Sequence, residues 1–237
     1  ETANQVIKEW GKTSKLKFQP KDHIQLGTEL GLIDIVRAAK ISGSRFIYLK
    51  NQAVLLEFAL VQFALEVLLK EGFTLLIPPV LIKESITDKL GYWQAGGNED
   101  YYWVLEDQVS NEETDKRFYL IGTAEHSVVP MHQDEIFNKA DLPKRYVAFS
   151  TCFRREAGAY GKDMGGLFRV HQFDKVEMVS LTTEENDGRE HDYFLSLEEK
   201  LFQKLEIPYR VIKMGSGDLG FPAARKYDLE AWLPGQG

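Results

Sequence analysis

The sequence predicts an α+β fold, an antiparallel β-sheet flanked by helices. Three observations predict it. Arg145 to Glu156 and Leu167 to Ser180 are rich in β-branched and aromatic residues and flank a charged loop holding Gly158, Gly161, Gly165 and Gly166, which reads as a long hairpin. Gln52 to Lys70 is the longest helical pattern in the chain. Glu184 to Leu205 is amphipathic through Phe194, Leu197, Leu201, Phe202 and Leu205, behind a Thr182/Glu185 capping-box pattern.

The remaining elements follow in chain order. Residues 1–20 are polar with scattered apolar side chains and read as a linker entering the domain. Asp22 to Ala39 holds Leu26, Leu30, Ile33, Ile35 and Val36 and predicts a short helix, with Asp22 a possible N-cap. Ser42 to Leu49 predicts a turn and a short strand. In Gln52 to Lys70 the apolar residues surround almost the whole circumference, broken by Glu57, Gln62 and Glu66. The run is slightly short for a membrane span and carries those polar interruptions, so a buried helix is expected. Glu71-Gly72 ends it, and Phe73 to Ile77 is a strand stopped by Pro78-Pro79. Lys83 to Leu90 predicts a helix. Tyr101 to Leu105 and Arg117 to Ile121 predict antiparallel strands joined by a solvated acidic connection, Glu106 to Asp115. Gly122 to Phe137 predicts a helix, with Thr123 as its N-cap and Glu125 in its first turn. Tyr209 to Met214 and Lys226 to Leu233 predict further strands in the same sheet. Gly215, Gly217 and Gly220 between them lack the spacing and the βαβ setting of a dinucleotide site.

Length and composition narrow the function. The 237 residues suffice for one large domain, and 43% hydrophobic with 27% charged residues is a soluble globular balance. A single cysteine, Cys152, excludes an internal disulfide and a multi-cysteine zinc site. No secretory or transit segment is legible, and a reducing cytoplasmic setting is expected. The formal charge of -7 has the wrong sign for a generic nucleic-acid-binding domain, so any basic surface must be local.

The chemistry concentrates in the predicted hairpin. Period-two alternation puts Arg154 and Glu156 on one face of the first strand, and Arg169, His171, Phe173, Lys175 and Glu177 on one face of the second. A core face should be apolar, and this one is not. Arginine forks suit phosphate or carboxylate oxygens, a ring can stack on a base, and a carboxylate can accept from amino groups. The pattern points to a nucleotide site on a sheet floor. A cross-strand ion-pair network for Arg154 and Glu156, a surface role for Arg169 and a core role for Phe173 are the bland alternatives. His171 is expected to be a packed, hydrogen-bonded histidine. Arg155 points to the opposite face.

Phe153-Arg154-Arg155-Glu156, followed after the loop by Gly166-Leu167-Phe168-Arg169-Val170-His171-Gln172-Phe173, resembles motif 2 of class II aminoacyl-tRNA synthetases. Thr123-Ala124-Glu125 and Lys226-Tyr227-Asp228-Leu229-Glu230 narrow the resemblance to the seryl-tRNA synthetase family, over nearly the whole chain. It implies a class II catalytic domain over 21–237, a ligase that activates L-serine with ATP and transfers it to tRNA(Ser), and a homodimer through residues about 52–80, with no membrane. The implied ATP-binding set is Arg154, Arg155, Glu156, Arg169, Val170 and Phe173. Arg154 bridges the serine carboxylate and the α-phosphate, Glu156 accepts from the adenine amino group, Arg169 holds the γ-phosphate and Phe173 stacks on adenine. The implied serine set is Thr123, Ala124, Glu125, Arg154 and Glu177, with Thr123 and Glu125 on the ammonium and Glu177 on the hydroxyl. Capping would select the same residue types at Thr123 and Glu125. Lys162 and Asp163 belong to the loop that approaches the tRNA acceptor end in this family.

Amino-acid activation needs no general base, because the attacking carboxylate is already charged. The lack of a Ser-His-Asp set is consistent with that. By the same resemblance an N-terminal coiled-coil arm binds tRNA, and an acidic ATP- and Mg²⁺-binding strand and motif 3 follow Gly237. The Mg²⁺ ligands are expected mainly beyond Gly237, with no metal site within the segment, and the segment alone is expected to be impaired. Two alternatives stay open. One is a metal-using paralogue that charges a carrier protein, against which the lone Cys152 argues. The other is a pseudo-synthetase kept for dimerisation or regulation.

Overall fold

The computed structural model describes residues 3–91, 97–105, 117–156, 167–220 and 222–235. The loop positions Lys162 and Asp163 and the acidic connection 106–115 lie outside the described residues. Along the chain run β1 (Gln5–Trp10), α1 (His23–Glu29), β2 (Ile33–Asp34), α2 (Ile35–Ser42), β3 (Tyr48–Leu49) and α3 (Gln52–Lys70). They are followed by β4 (Thr74–Leu76), β5 (Leu81–Lys83), α4 (Glu84–Asp88), β6 (Tyr102–Leu105), β7 (Arg117–Leu120) and α5 (Glu125–Val128). The long strands β8 (Lys144–Phe153) and β9 (Gln172–Leu181) come next, then α6 (Asp187–Lys204), β10 (Tyr209–Lys213) and β11 (Tyr227–Ala231). Two compact units result, 23–181 and the pair of segments 1–22 and 182–237.

In the 23–181 unit, β8 and β9 pair antiparallel without a bulge from Lys144↔Leu181 to Phe153↔Gln172. In β9, Phe173, Lys175 and Glu177 lie opposite Cys152, Ser150 and Ala148. Directly opposed residues share a face. Large side chains therefore stand across from small buried ones, which leaves room above the floor. Strand β4 joins β8 in parallel, so this sheet is mixed. The long connection between them permits parallel pairing, which a tight hairpin does not. A second antiparallel sheet, β5-β7-β6, contains the expected 101–121 hairpin. Phe153 N–H donates to Ile121 O (2.8 Å), which ties the end of β8 to the residue following β7. One core cluster joins Ala124 and Val128 to Tyr146, Ala148 and Val179; another joins Ile82, Tyr101, Tyr119 and Ile121.

Helix α3 has the expected bounds and ends at Gly72, whose φ of +85° is the left-handed conformation that glycine supplies at a helix terminus. Its expected burial is corrected: within the chain only Val67 and Leu68 are buried, while Leu55, Leu56 and Phe58 are more than 60% exposed. An all-round apolar helix requires cover, but nothing in its periodicity says that the same chain supplies it. The predicted helix over Gly122 to Phe137 shrinks to α5 and a 3₁₀ turn at Val129–His132, because Pro130 removes a backbone donor.

In the other unit, β10 pairs with both β1 and β11. Two expectations change here. The stretch read as linker contains a strand, and β10 and β11 belong to a sheet separate from that of β8 and β9. Strand β1 is mostly exposed, so its structure comes from backbone pairing with β10 rather than from an apolar face. Trp10 stacks on Tyr209 at 5.7 Å, and Lys8 pairs with the buried Glu199 at 2.7 Å. The capping box does not form. Thr182 Oγ1 is buried without a hydrogen-bond partner, and a 3₁₀ turn at Glu184–Asn186 precedes α6.

Candidate active site

A recess of about 380 Å³ opens between the end of β8, the start of α5 and the face of β9. Thr123, Glu125, Arg154, Glu156 and Arg169 all line it, as do Asp100, Tyr101, Gly122, His126 and Lys175. Strand β8 ends at Phe153, so Arg154 and Glu156 stand beyond it rather than on it. Glu156 has a φ of +51°, a left-handed turn that ends extended backbone here. Backbone bonds hold this region: Arg154 N–H donates to His171 O (3.0 Å) and Arg155 N–H to Asp100 O (2.8 Å).

The polar groups are arranged in pairs. Arg154 Nε donates to Gly122 O at 3.0 Å, and its guanidinium lies 5.2 Å from the Phe173 ring centroid. That cation–π contact and the fixed Nε direct the remaining N–H groups of the fork. Arg169 Nε donates to Glu156 at 2.6 Å. Thr123 Oγ1 donates to Glu177 at 2.6 Å and accepts from the Glu125 N–H at 3.3 Å. Lys175 forms an ion pair with Glu177. Opposite charges thus offset one another in a partly enclosed site, which limits the desolvation cost of each.

Burial acts on the uncharged side chains. It pushes the Tyr101 hydroxyl up to about 12 despite the pull of the Arg154 charge. It pushes the His126 imidazole down to about 3, aided by the Lys175 and Arg154 charges. Burial likewise raises the Cys152 thiol, which suits a structural thiol and not a nucleophile.

Of the predicted residues, Ala124, Arg155, Val170, Phe173 and Glu177 do not line the recess. Ala124 and Val170 are buried, and Arg155 is exposed. Phe173 sits beneath Arg154, and Glu177 is reached through Thr123 and Lys175. His171 is a packed histidine as expected: its Nδ1 donates to Arg154 O at 2.9 Å and its ring lies 5.2 Å from that of Phe46. Sequence reasoning missed Asp100, Tyr101, Gly122, His126 and Lys175 as lining residues. Alternation along β9 already placed Lys175 on the same face as Phe173 and Glu177, so that signal existed. Nothing in the sequence announces that the β6–β7 hairpin brings Tyr101 to Gly122.

The family model described as tRNA synthetase class II core domain (G, H, P, S and T) matches residues 102–237, more than half of the chain. The chain belongs to this class II synthetase core family. Within it, the chain is 50% identical to the serine–tRNA ligase of Dictyoglomus thermophilum over all 237 residues, which are 54% of that protein. The crystal structure of seryl-tRNA synthetase from Pyrococcus horikoshii complexed with ATP superposes with a TM-score of 0.90 at 42% identity, covering 100% of this chain and 55% of that one. The cytoplasmic serine–tRNA ligase of Naegleria fowleri in complex with AMP gives 0.91 at 32% identity, covering 100% and 50%. The chain therefore spans about half the length of the curated relatives it matches. The α+β architecture with mixed and antiparallel sheets is that of the class II core in these neighbours.

Proposed function

We propose that this chain is a catalytic portion of a cytoplasmic serine–tRNA ligase, with residues 21–237 forming the class II part. The reaction joins the serine carboxylate to the α-phosphate of ATP, releases pyrophosphate, and passes serine from the adenylate to tRNA(Ser). The carrying observation is that Thr123, Glu125, Arg154, Glu156 and Arg169, from segments far apart in sequence, converge on one recess.

The residues divide the work by charge and shape. Arg154, pinned by Gly122 O, presents its free N–H groups to the serine carboxylate and the α-phosphate. Charge develops on the phosphate as the carboxylate attacks, so a fixed guanidinium there lowers the barrier without reorganising. Glu156 accepts from the adenine amino group, Arg169 holds the γ-phosphate, and Phe173 and Val170 border the base. Because Glu156 and Arg169 pair at 2.6 Å, serving opposite ends of ATP requires that pair to part. Thr123 and Glu125 hold the serine ammonium, and Glu177, already accepting from Thr123, takes the serine hydroxyl. The Mg²⁺ that accompanies ATP would be held mainly by residues beyond Gly237; among the described residues no three His, Cys, Asp or Glu side chains converge to hold a metal.

A second copy of this chain covers α3, giving a homodimer through residues 52–80. By length and composition α3 could also cross a membrane, and 11% of its apolar window is buried within the chain. Glu57, Gln62 and Glu66 interrupt that surface, which suits a protein partner better than lipid.

Serine-dependent ATP–pyrophosphate exchange tests the reading. The 237-residue chain and a chain extended to its relatives' length are assayed with serine, threonine, alanine and cysteine. Serine-selective exchange by the extended chain, weak or absent in the segment, is expected. No exchange from a folded extended chain, or exchange selective for another amino acid, overturns the proposal.

A further inference from the structure

The recess has an aromatic wall that its charged residues do not explain. Tyr101 packs edge-on against Tyr119 and against His126, with ring centroids 5.2 Å apart in both cases. Its hydroxyl lies 3.4 Å from His126 Nε2, and the Tyr119 hydroxyl lies 3.4 Å from His126 Nδ1. His126 is 1% exposed and Tyr119 is 0% exposed. A neutral imidazole offers one N–H and one lone pair, so one phenol donates to this ring and the other accepts from it. Tyr101 also meets the backbone at Gly122, where a Cβ would stand 3.1 Å from the Tyr101 Cε1. Gly122 supplies the carbonyl that pins Arg154, and the next residue is Thr123, hydrogen-bonded to Glu177. The Tyr101 ring thus touches both a buried imidazole and the peptide that bears the groups assigned to the amino acid.

We propose that Tyr101, His126 and Tyr119 form a size filter for the amino-acid side chain, in which His126 is a positioning residue that locks Tyr101 as a rigid wall. The inference rests on the reading of the recess as a serine and ATP site. A carboxylate such as Glu177 accepts the hydroxyl of serine and of threonine alike, so hydrogen bonding cannot reject the extra methyl. Rejection has to be steric, and a steric wall discriminates only when it cannot yield. Close packing behind Tyr101 supplies that resistance, because moving the ring would open a void or strand a buried polar atom. Burial also keeps the imidazole neutral across the physiological range, so the wall does not loosen with pH.

The test uses protein at its relatives' full length and two non-hydrolysable ligands, seryl- and threonyl-sulfamoyl adenosine, measured by calorimetry. Wild-type protein should prefer the seryl ligand by about 10- to 200-fold, the range available to one methyl group. His126→Phe, which fills the space without either polar atom, should lower that preference by about tenfold while the seryl ligand still binds. Tyr119→Phe, which removes one buried hydroxyl and keeps the ring, should lower it by about two- to tenfold, and it decides the question if His126→Phe does not fold. Equal weakening of both ligands, with the preference unchanged in a folded variant, is what a merely structural role gives and overturns the inference. A wild-type protein that binds the seryl ligand without preference overturns the filter and leaves the site reading standing. Binding of neither ligand overturns both.

Discussion

The charged recess beside β8 and the apolar groove along α3 belong to the same 23–181 unit, yet they settle their side chains in opposite ways. In the recess, most of the charged and polar groups have a partner from their own chain: Arg154 with Gly122 O, Arg169 with Glu156, and Thr123 and Lys175 with Glu177. In the groove, about 500 Å³ in volume, Leu26, Leu30, Leu56, Leu60, Val61 and Val176 face one another across open space. The difference is physical. An unpaired charge inside a protein costs several kcal/mol, so polar sites are closed by the chain that carries them. An exposed apolar surface costs only about 25 cal/mol per Å², and a second molecule can remove that cost on association. The recess is internally paired, whereas the groove leaves apolar surface that a second copy of the chain, as proposed above, would cover.

The sharpest way to break this contrast is to remove the anchor of the recess. In protein extended to its relatives' length, and if the proposed activity holds, Arg154→Ala should cost on the order of 3 kcal/mol in transition-state stabilisation, or 10²–10³ in the rate of pyrophosphate exchange. Near-normal exchange would take Arg154 out of the mechanism. The groove is tested by Leu56→Asp. Leu56 is largely exposed in the single chain, so folding should be little affected. Association should weaken by about 2 kcal/mol, roughly thirtyfold in the dimer dissociation constant by sedimentation equilibrium. An unchanged constant would mean that α3 is covered by something else.

Acid should expose the enclosed character of the recess. Because the folded imidazole of His126 lies near 3 and its ordinary value is 6.5, the unfolded chain takes up the proton first as pH falls. The stabilisation is therefore complete above about pH 6.5 and is lost between there and pH 3, on the order of 1 kcal/mol per pH unit. Urea unfolding at stepped pH should show that slope in the wild type and a shallower one in His126→Phe. The smallest effect belongs to the groove. Burial, and then the charge of Asp174, raise the Glu57 carboxyl, so its contribution is lost as pH rises through that raised value. Glu57→Gln should add a few tenths of a kcal/mol at pH 8, as expected for a half-exposed charge. A loss of stability on the same titration would mean that the Glu57 carboxylate is paired favourably.

Much of this was legible residue by residue. The bounds of α3 could be read to the residue from a helical pattern, broken only by Glu57, Gln62 and Glu66, between Asn51 and Gly72. The pairing of β8 with β9 followed from two β-rich runs around a glycine-bearing loop, although the strands stop at Phe153 and resume only at Gln172. The turn at Glu156 has no signature in a glutamate. Strand β1 was illegible because exposed backbone pairing leaves no apolar alternation. The sheet to which β10 and β11 belong was illegible because a strand's partner is chosen by packing far away in sequence.

By itself the sequence determined most of the local elements, the α+β class, and the residue types that match a class II synthetase core, since these depend on neighbours along the chain and on side-chain chemistry. Only the tertiary structure decided which of them meet. It set Tyr101 against His126 and Gly122, turned Thr123 onto Glu177, and left most of α3 uncovered. Those outcomes depend on how segments tens of residues apart pack against one another, and no local pattern encodes that choice.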